Sequence, residues 1–178
     1  MVAANRNLAG ENMVDMQYDC GFDIGNYHYR FRAGGLLVKD GKILFVKTKY
    51  GDYYYVVGGG VKLGESTEAA IIREFAEETS IQPDIKRLAV VCENFFDGHG
   101  GIIEGKDCHT LEFYYLLSTN DNIDKIPIEN DEGEKLVWIP IKNIETQNIK
   151  PDFIKKRIHE ILESDSILHV IEESDKSN

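Results

Sequence analysis

Polar and apolar residues alternate along the first half of the stretch YHYRFRAGGLLVK. Tyr27, Tyr29 and Phe31 interleave with His28, Arg30 and Arg32, which predicts a strand over 27–39 with one aromatic and one cationic side. Asp40-Gly41 is a tight-turn dipeptide, so Lys42 to Thr48 is expected to return as the partner strand of a hairpin. Further strands are expected at Tyr53 to Val57, Ile85 to Phe96, His109 to Leu117 and Lys135 to Pro140. Between Ser66 or Thr67 and Glu78 the period becomes helical, in a stretch rich in strong helix formers and free of glycine and proline. A short helical turn is expected at Ile141 to Ile144. A second amphipathic helix follows from Pro151 to Leu162, its apolar stripe carried by Phe153, Ile154, Ile158, Ile161 and Leu162. Strands on both sides of one helix, with a second helix late, predict an α/β fold in which a mixed sheet is covered on both faces. Residues 1–21 lack sustained periodicity and are expected to be a loosely ordered lead-in, with a short strand near Phe22. One domain is expected over 22–164, followed by a polar, frayed tail over 165–178.

On a helical wheel the first helix carries Glu74, Glu77 and Glu78 within roughly 100° of one another, and Ala69, Ile72, Phe75 and Ala76 are expected on the opposite, core-facing side. Like charges three and four residues apart destabilise a helix by a few tenths of a kcal/mol per pair. These also sit toward the C-terminal end, where the macrodipole disfavours them. A solvated acidic face is the ordinary explanation of such a cluster. Its surroundings argue for more. Gly58-Gly59-Gly60 stands just before the helix, and glycine allows backbone conformations and close approaches that side chains forbid.

Counting from Gly59, five residues lead to Glu65 and seven more to Arg73-Glu74-Phe75-Ala76-Glu77-Glu78-Thr79-Ser80-Ile81. This resembles the Nudix box, G-x5-E-x7-R-E-U-x-E-E-x-G-U with U bulky and aliphatic or similar, at every fixed position but one. Ser80 stands where the family has the glycine that ends the helix in a left-handed turn, a conformation costing other residues about 1 kcal/mol. Val57 and Lys62 are smaller departures, where relatives frequently carry proline and an acidic residue.

The resemblance implies a Nudix-type (MutT-like) α/β/α sandwich with a mixed β-sheet. It also implies a hydrolase that cleaves the diphosphate bond of a nucleoside diphosphate linked to another group, by attack of water on phosphorus. Such a reaction needs charge neutralised on the phosphoryl oxygens, a placed water and a group to take its proton. The box positions imply Glu74 and Glu78 as principal ligands of Mg²⁺, or of Mn²⁺ in its place. Glu77 joins the same cluster, and the Gly58 carbonyl is a candidate backbone ligand. Glu65 and Arg73 would pair bidentately and brace the loop against the helix. In many relatives the base is a glutamate late in the fold; Glu129, Glu132, Glu134 and Glu112 are available here, Glu132 or Glu134 being preferred, and Glu74 could also serve. Arg30 and Arg32, with His28 and the glycine-rich loop 97–107, are the expected contacts for substrate, although pairing with acidic neighbours explains the same residues. The box does not select among nucleoside triphosphates, ADP-ribose, nucleotide sugars and dinucleoside polyphosphates. The alternative from another class is a catalytically weak or inactive nucleotide-sensing regulator on the same fold.

Composition narrows the setting. The 178 residues are 42% hydrophobic and 29% charged, as in a globular protein with a real core. The net charge of −11 argues against a duplex-binding partner, but is compatible with a small phosphorylated substrate bridged by divalent cations. No apolar run reaches the ~20 residues of a membrane span, and the opening residues lack a secretory apolar core. A cytoplasmic protein is expected, with a homodimer left open. Cys20, Cys92 and Cys108 have neither disulfide-like nor zinc-like spacing and are expected to be reduced thiols.

Overall fold

The computed structural model describes residues 18–130 and 132–174. Most of the expected lead-in, residues 1–17, and the end of the expected tail, 175–178, lie outside the described residues.

The long strand β2 (Tyr27–Lys39) is the spine of the sheet. It pairs antiparallel with β1 (Gly21–Ile24) and with β3 (Lys42–Lys47), and parallel with β7 (Asp107–Ser118) from Tyr27↔Asp107 to Leu37↔Leu117. Asp40 and Gly41 both take positive φ, as a tight hairpin turn demands. The sheet runs β4 (Tyr54–Tyr55), β3, β2, β7, β6 (Asp84–Asp97), β9 (Leu168–Glu173), with β5 (Gly58–Gly60) on β2 and β8 (Lys135–Pro140) on β3. Parallel and antiparallel pairs coexist, so the sheet is mixed.

Side chains alternate across this sheet and feed two cores. Leu36, Ile43, Phe45 and Tyr114 face α2 (Asp152–Glu163), packing on Phe153, Ile154, Ile158 and Ile161. Their sequence neighbours Leu37, Leu44, Val46 and Tyr115 face α1 (Thr67–Thr79), packing on Ala70, Ile71 and Phe75. The period-two pattern thus becomes an α/β/α sandwich, each large apolar side chain contributing about 1.5–3 kcal/mol by burial. Among the described residues no helix is long and apolar enough to cross a membrane.

Two expectations change. Part of the expected frayed tail is a strand: β9 lies parallel to β6, with Val170 buried and Leu168 packed beside it on the α2 side. Its outward residues are polar or exposed, including His169, which bonds Glu93 at 2.8 Å, so composition hides a short alternating edge strand. The strand expected over Tyr53 to Val57 is instead two short ones, Tyr54–Tyr55 and Gly58–Gly60, the second pairing with Gly34–Arg32.

Candidate active site

Helix α1 begins at Ser66, whose Oγ accepts the Ala69 N–H at 3.1 Å. It ends at Ser80, which holds φ 58° and ψ 18° while its N–H donates to the Ala76 carbonyl. The residue replacing the box glycine therefore adopts glycine's conformation.

The buried residues of α1 are Ala70, Ile71, Phe75 and Thr79; Ala69 and Ala76, expected in the core, are exposed, and Ile72 is half-buried. The core stripe is rotated toward Glu74 and Glu78 instead of standing opposite them. Strand β5 supplies the reason. It runs beside the helix without side chains, and a Cβ on Gly59 would collide with the Glu74 carboxylate. Gly58 has φ 146°, and a Cβ there would strike the Ala33 carbonyl, so glycine is required twice over. Glu74 and Glu78 thus lie half-buried between helix and strand, while the Glu77 side chain is 56% exposed.

Arg73 is the hub of this arrangement. Its Nε and Nη2 donate to the two oxygens of Glu65, each at 2.9 Å, and Nη2 also donates to the Gly60 carbonyl at 3.0 Å. Nη1 reaches Glu74 at 2.6 Å and Glu77 at 3.2 Å. The i,i+4 pair with Glu77 therefore exists, as one spoke of a brace joining helix, loop and glycine strand. Glu65 holds the guanidinium well above its already high ordinary pKa, and Arg73 holds the Glu65 carboxyl below the usual carboxylate range.

Glu78 has no such arginine contact. Burial pushes its carboxyl up to about 7, against the opposing pull of an Asn130 hydrogen bond and the Arg32 charge. Its Oε1 accepts the Gly58 N–H at 3.3 Å and its Oε2 accepts from Asn130 Nδ2 at 3.1 Å.

The cationic side of β2 is engaged with acid. His28 meets Asp23 at 2.7 Å, Arg30 meets Asp19 at 3.2 Å, and Arg32 lies 3.5 Å from buried Glu112. Arg32 is directed inward, its Nη2 donating to the carbonyls of Val56 and Gly58, each at 3.0 Å. The Gly58 carbonyl, expected to face a metal, is thus already an acceptor from Arg32. Glu112 is enclosed by donors from Asn94 (2.9 Å), Thr110 (2.5 Å) and Tyr114.

The acidic stretch before β8 divides three ways. Glu129 is exposed at an isolated bridge to Lys135. Glu132 is exposed, and its carboxylate accepts no hydrogen bond among the described residues. Glu134 is buried, its oxygens taken by the Lys49 N–H at 3.1 Å and the Tyr55 hydroxyl. Burial and the Glu134 charge raise the Tyr55 pKa, so its hydroxyl stays a donor. The glycine-rich loop lines a separate open cavity of about 430 Å³ with Asp97, His99, Glu104 and Lys106.

Sequence reasoning missed the contacts of Asn130, which joins this turn to the helix, and of Tyr55, which joins it to β4. Nothing in the stretch Glu-Asn-Asp-Glu-Gly signalled contact with Glu78.

The oxygen donors of Glu74, Glu77 and Glu78 are of the kind Mg²⁺ or Mn²⁺ accepts. Among the described residues no three acidic, histidine or cysteine side chains converge on one point, since Arg73 draws Glu74 and Glu77 to itself. The three remain on one helical face with a side-chain-free strand alongside. That donor set fits a hard divalent cation.

The chain is similar to known proteins at several levels. The ADP-ribose pyrophosphatase of Methanocaldococcus jannaschii is 28% identical over 123 residues, 59% of this chain and 70% of that one. The MutT protein from Bacillus halodurans superposes with a TM-score of 0.66 at 19% identity, over 83% of this chain and 91% of its own. An ADP-ribose pyrophosphatase from Streptococcus suis gives 0.54 at 12% identity, over 80% and 98%. At such identities the solved structures speak for the fold. The NUDIX domain model itself matches residues 28–160, from the start of β2 into α2, so the chain belongs to the NUDIX family and is a MutT-like Nudix hydrolase.

Proposed function

We propose that this hydrolase cleaves the diphosphate bond of a nucleoside diphosphate joined to a second group, with Mg²⁺ as its ordinary cofactor and Mn²⁺ as a substitute. The observation that carries the reading is the bidentate Arg73–Glu65 brace, which holds a complete carboxylate row against a side-chain-free strand. ADP-ribose is the first substrate to test, because the M. jannaschii relative is named for it.

In this reading Glu74, Glu77 and Glu78 hold the cation. When bound, it supplies charge neutralisation on the phosphoryl oxygens and acidifies water. The chain supplies the rest. Gly58 and Gly59 make room for the Ala33 carbonyl and the Glu74 carboxylate against β5, and Arg73 maintains the helix–strand spacing without touching substrate. Glu132 takes the proton from the attacking water; Glu134, with both oxygens already engaged, anchors its turn. Arg32 supports β5, and Arg30, paired among the described residues with exposed Asp19, contacts the substrate phosphate.

The test is hydrolysis of ADP-ribose, nucleotide sugars, dinucleoside polyphosphates and nucleoside triphosphates with Mg²⁺, scored for released nucleoside monophosphate or pyrophosphate. Preferential turnover of ADP-ribose to AMP and ribose 5-phosphate is expected. Turnover confined to the triphosphates would overturn ADP-ribose as the preferred substrate.

A further inference from the structure

We infer that Asn130 is a positioning residue for the reaction: its side-chain amide fixes the Glu78 carboxylate and ties it to the turn that carries Glu132. The inference rests on the role of Glu78 proposed above.

The direction of the amide is determined by its other partners. Asn130 Oδ1 accepts the backbone N–H of Glu132 at 3.2 Å and that of Glu134 at 2.9 Å. An atom receiving two N–H donors must be the oxygen, so the opposite end is the NH₂. That end donates to Glu78 Oε2 at 3.1 Å, while the Gly58 N–H donates to Oε1. Both oxygens of Glu78 are therefore fixed, one by the glycine strand and one by the turn. Asn130 is only 8% exposed, so water competes weakly for this bond.

The turn is itself held in place. The Asn130 N–H donates to the Glu134 carbonyl at 2.9 Å, and the Glu134 carboxylate is gripped by the Lys49 N–H and the Tyr55 hydroxyl. Asn130 thus transmits a fixed position from β8 and the β3–β4 loop to a carboxylate on α1. The same amide that orients Glu78 also sets the backbone of Glu132, so ligand and proposed base are adjusted together.

A role in closing the turn alone predicts different behaviour from a role in holding Glu78. Asn130→Asp separates them: an aspartate still offers an oxygen to the two N–H donors, but turns an acceptor instead of a donor toward Glu78. In the full chain, Asn130→Asp is expected to fold but to melt below wild type, to keep its KM, and to lose about tenfold to a hundredfold in kcat. A folded Asn130→Asp with kcat within about twofold of an active wild type would overturn this inference alone. A wild type inactive on the whole substrate panel would overturn the functional reading with it. A second measurement needs no change at Asn130. In ¹H–¹⁵N spectra of the metal-free chain, Glu78→Gln should shift the Asn130 side-chain NH₂ pair, and Glu77→Gln should leave it in place. An NH₂ pair indifferent to Glu78→Gln would refute the contact.

Discussion

Helix α1 and the turn before β8 both carry glutamates, yet they treat them in opposite ways. On the helix, three carboxylates share a face set by one local geometry, and a single arginine draws two of them and Glu65 together. In the turn, neighbouring glutamates meet unrelated fates: Glu132 faces solvent, while Glu134 is buried between a backbone N–H and a tyrosine hydroxyl. The charge of a carboxylate does not decide its role here. The donors that reach it do: for Glu74 and Glu77 they arrive with the local sequence, whereas for Glu134 they come from distant segments.

Removing the helix's own donor should therefore do the greatest damage to stability. Arg73→Ala strips Glu65, Glu74 and Glu77 of their shared cation and is expected to cost about 3–5 kcal/mol of stability, with kcat lowered about a hundredfold. Urea unfolding and steady-state kinetics check both. A variant losing activity but no stability would mean that Arg73 touches substrate and is not a brace. Tyr55→Phe removes one donor from the turn and should cost about 1–3 kcal/mol, because a buried Glu134 oxygen loses its partner. Its activity is expected to fall less than that of Arg73→Ala; a larger fall would put Glu134 at the chemistry.

The two regions meet at Glu78, where pH sharpens the contrast. Burial raises its carboxyl from 4.5 to about 7 in the folded chain. A group that binds its proton more tightly when folded contributes stability that is complete below its unfolded pKa and lost as pH rises through the folded value. In chelator, melting temperature should fall as pH climbs from about 4.5 through about 7, and Glu78→Gln should flatten that slope. An unchanged slope in Glu78→Gln would assign it to another group. The smallest effect is expected at Ser80→Gly, which relieves a left-handed serine and should be neutral or stabilising by up to about 1 kcal/mol. Destabilisation on melting would show that the serine side chain compensates for its backbone.

What could be read in the sequence follows the same division. The hairpin through Asp40-Gly41, the strands and both helices rest on local period and turn chemistry, and they stand close to where the pattern places them. The Glu65–Arg73 brace was legible through spacing within one box. The facing of α1 was not, because the wheel assumed that acid and core must oppose each other, and a strand of glycines allowed them to lie side by side. Arg32 pointed inward because Glu112 arrives beside it on the parallel strand β7, a partner that period two along β2 cannot announce. Asn130 lies 52 positions from Glu78 and becomes its neighbour only through tertiary packing. β9 escaped notice because a short edge strand buries only alternate residues.

The proposed divalent-metal-dependent hydrolysis of a nucleoside diphosphate derivative assigns its chemistry to the carboxylate row of α1. Its most direct test is turnover of ADP-ribose by wild type and Glu78→Gln at matched Mg²⁺, repeated for wild type in excess chelator, with circular dichroism confirming that both chains are folded. The account predicts a loss of about a thousandfold or more in the folded variant, several kcal/mol of transition-state stabilisation, and comparable silence of wild type in chelator. Wild-type rates in a folded Glu78→Gln, or full activity in excess chelator, would contradict it.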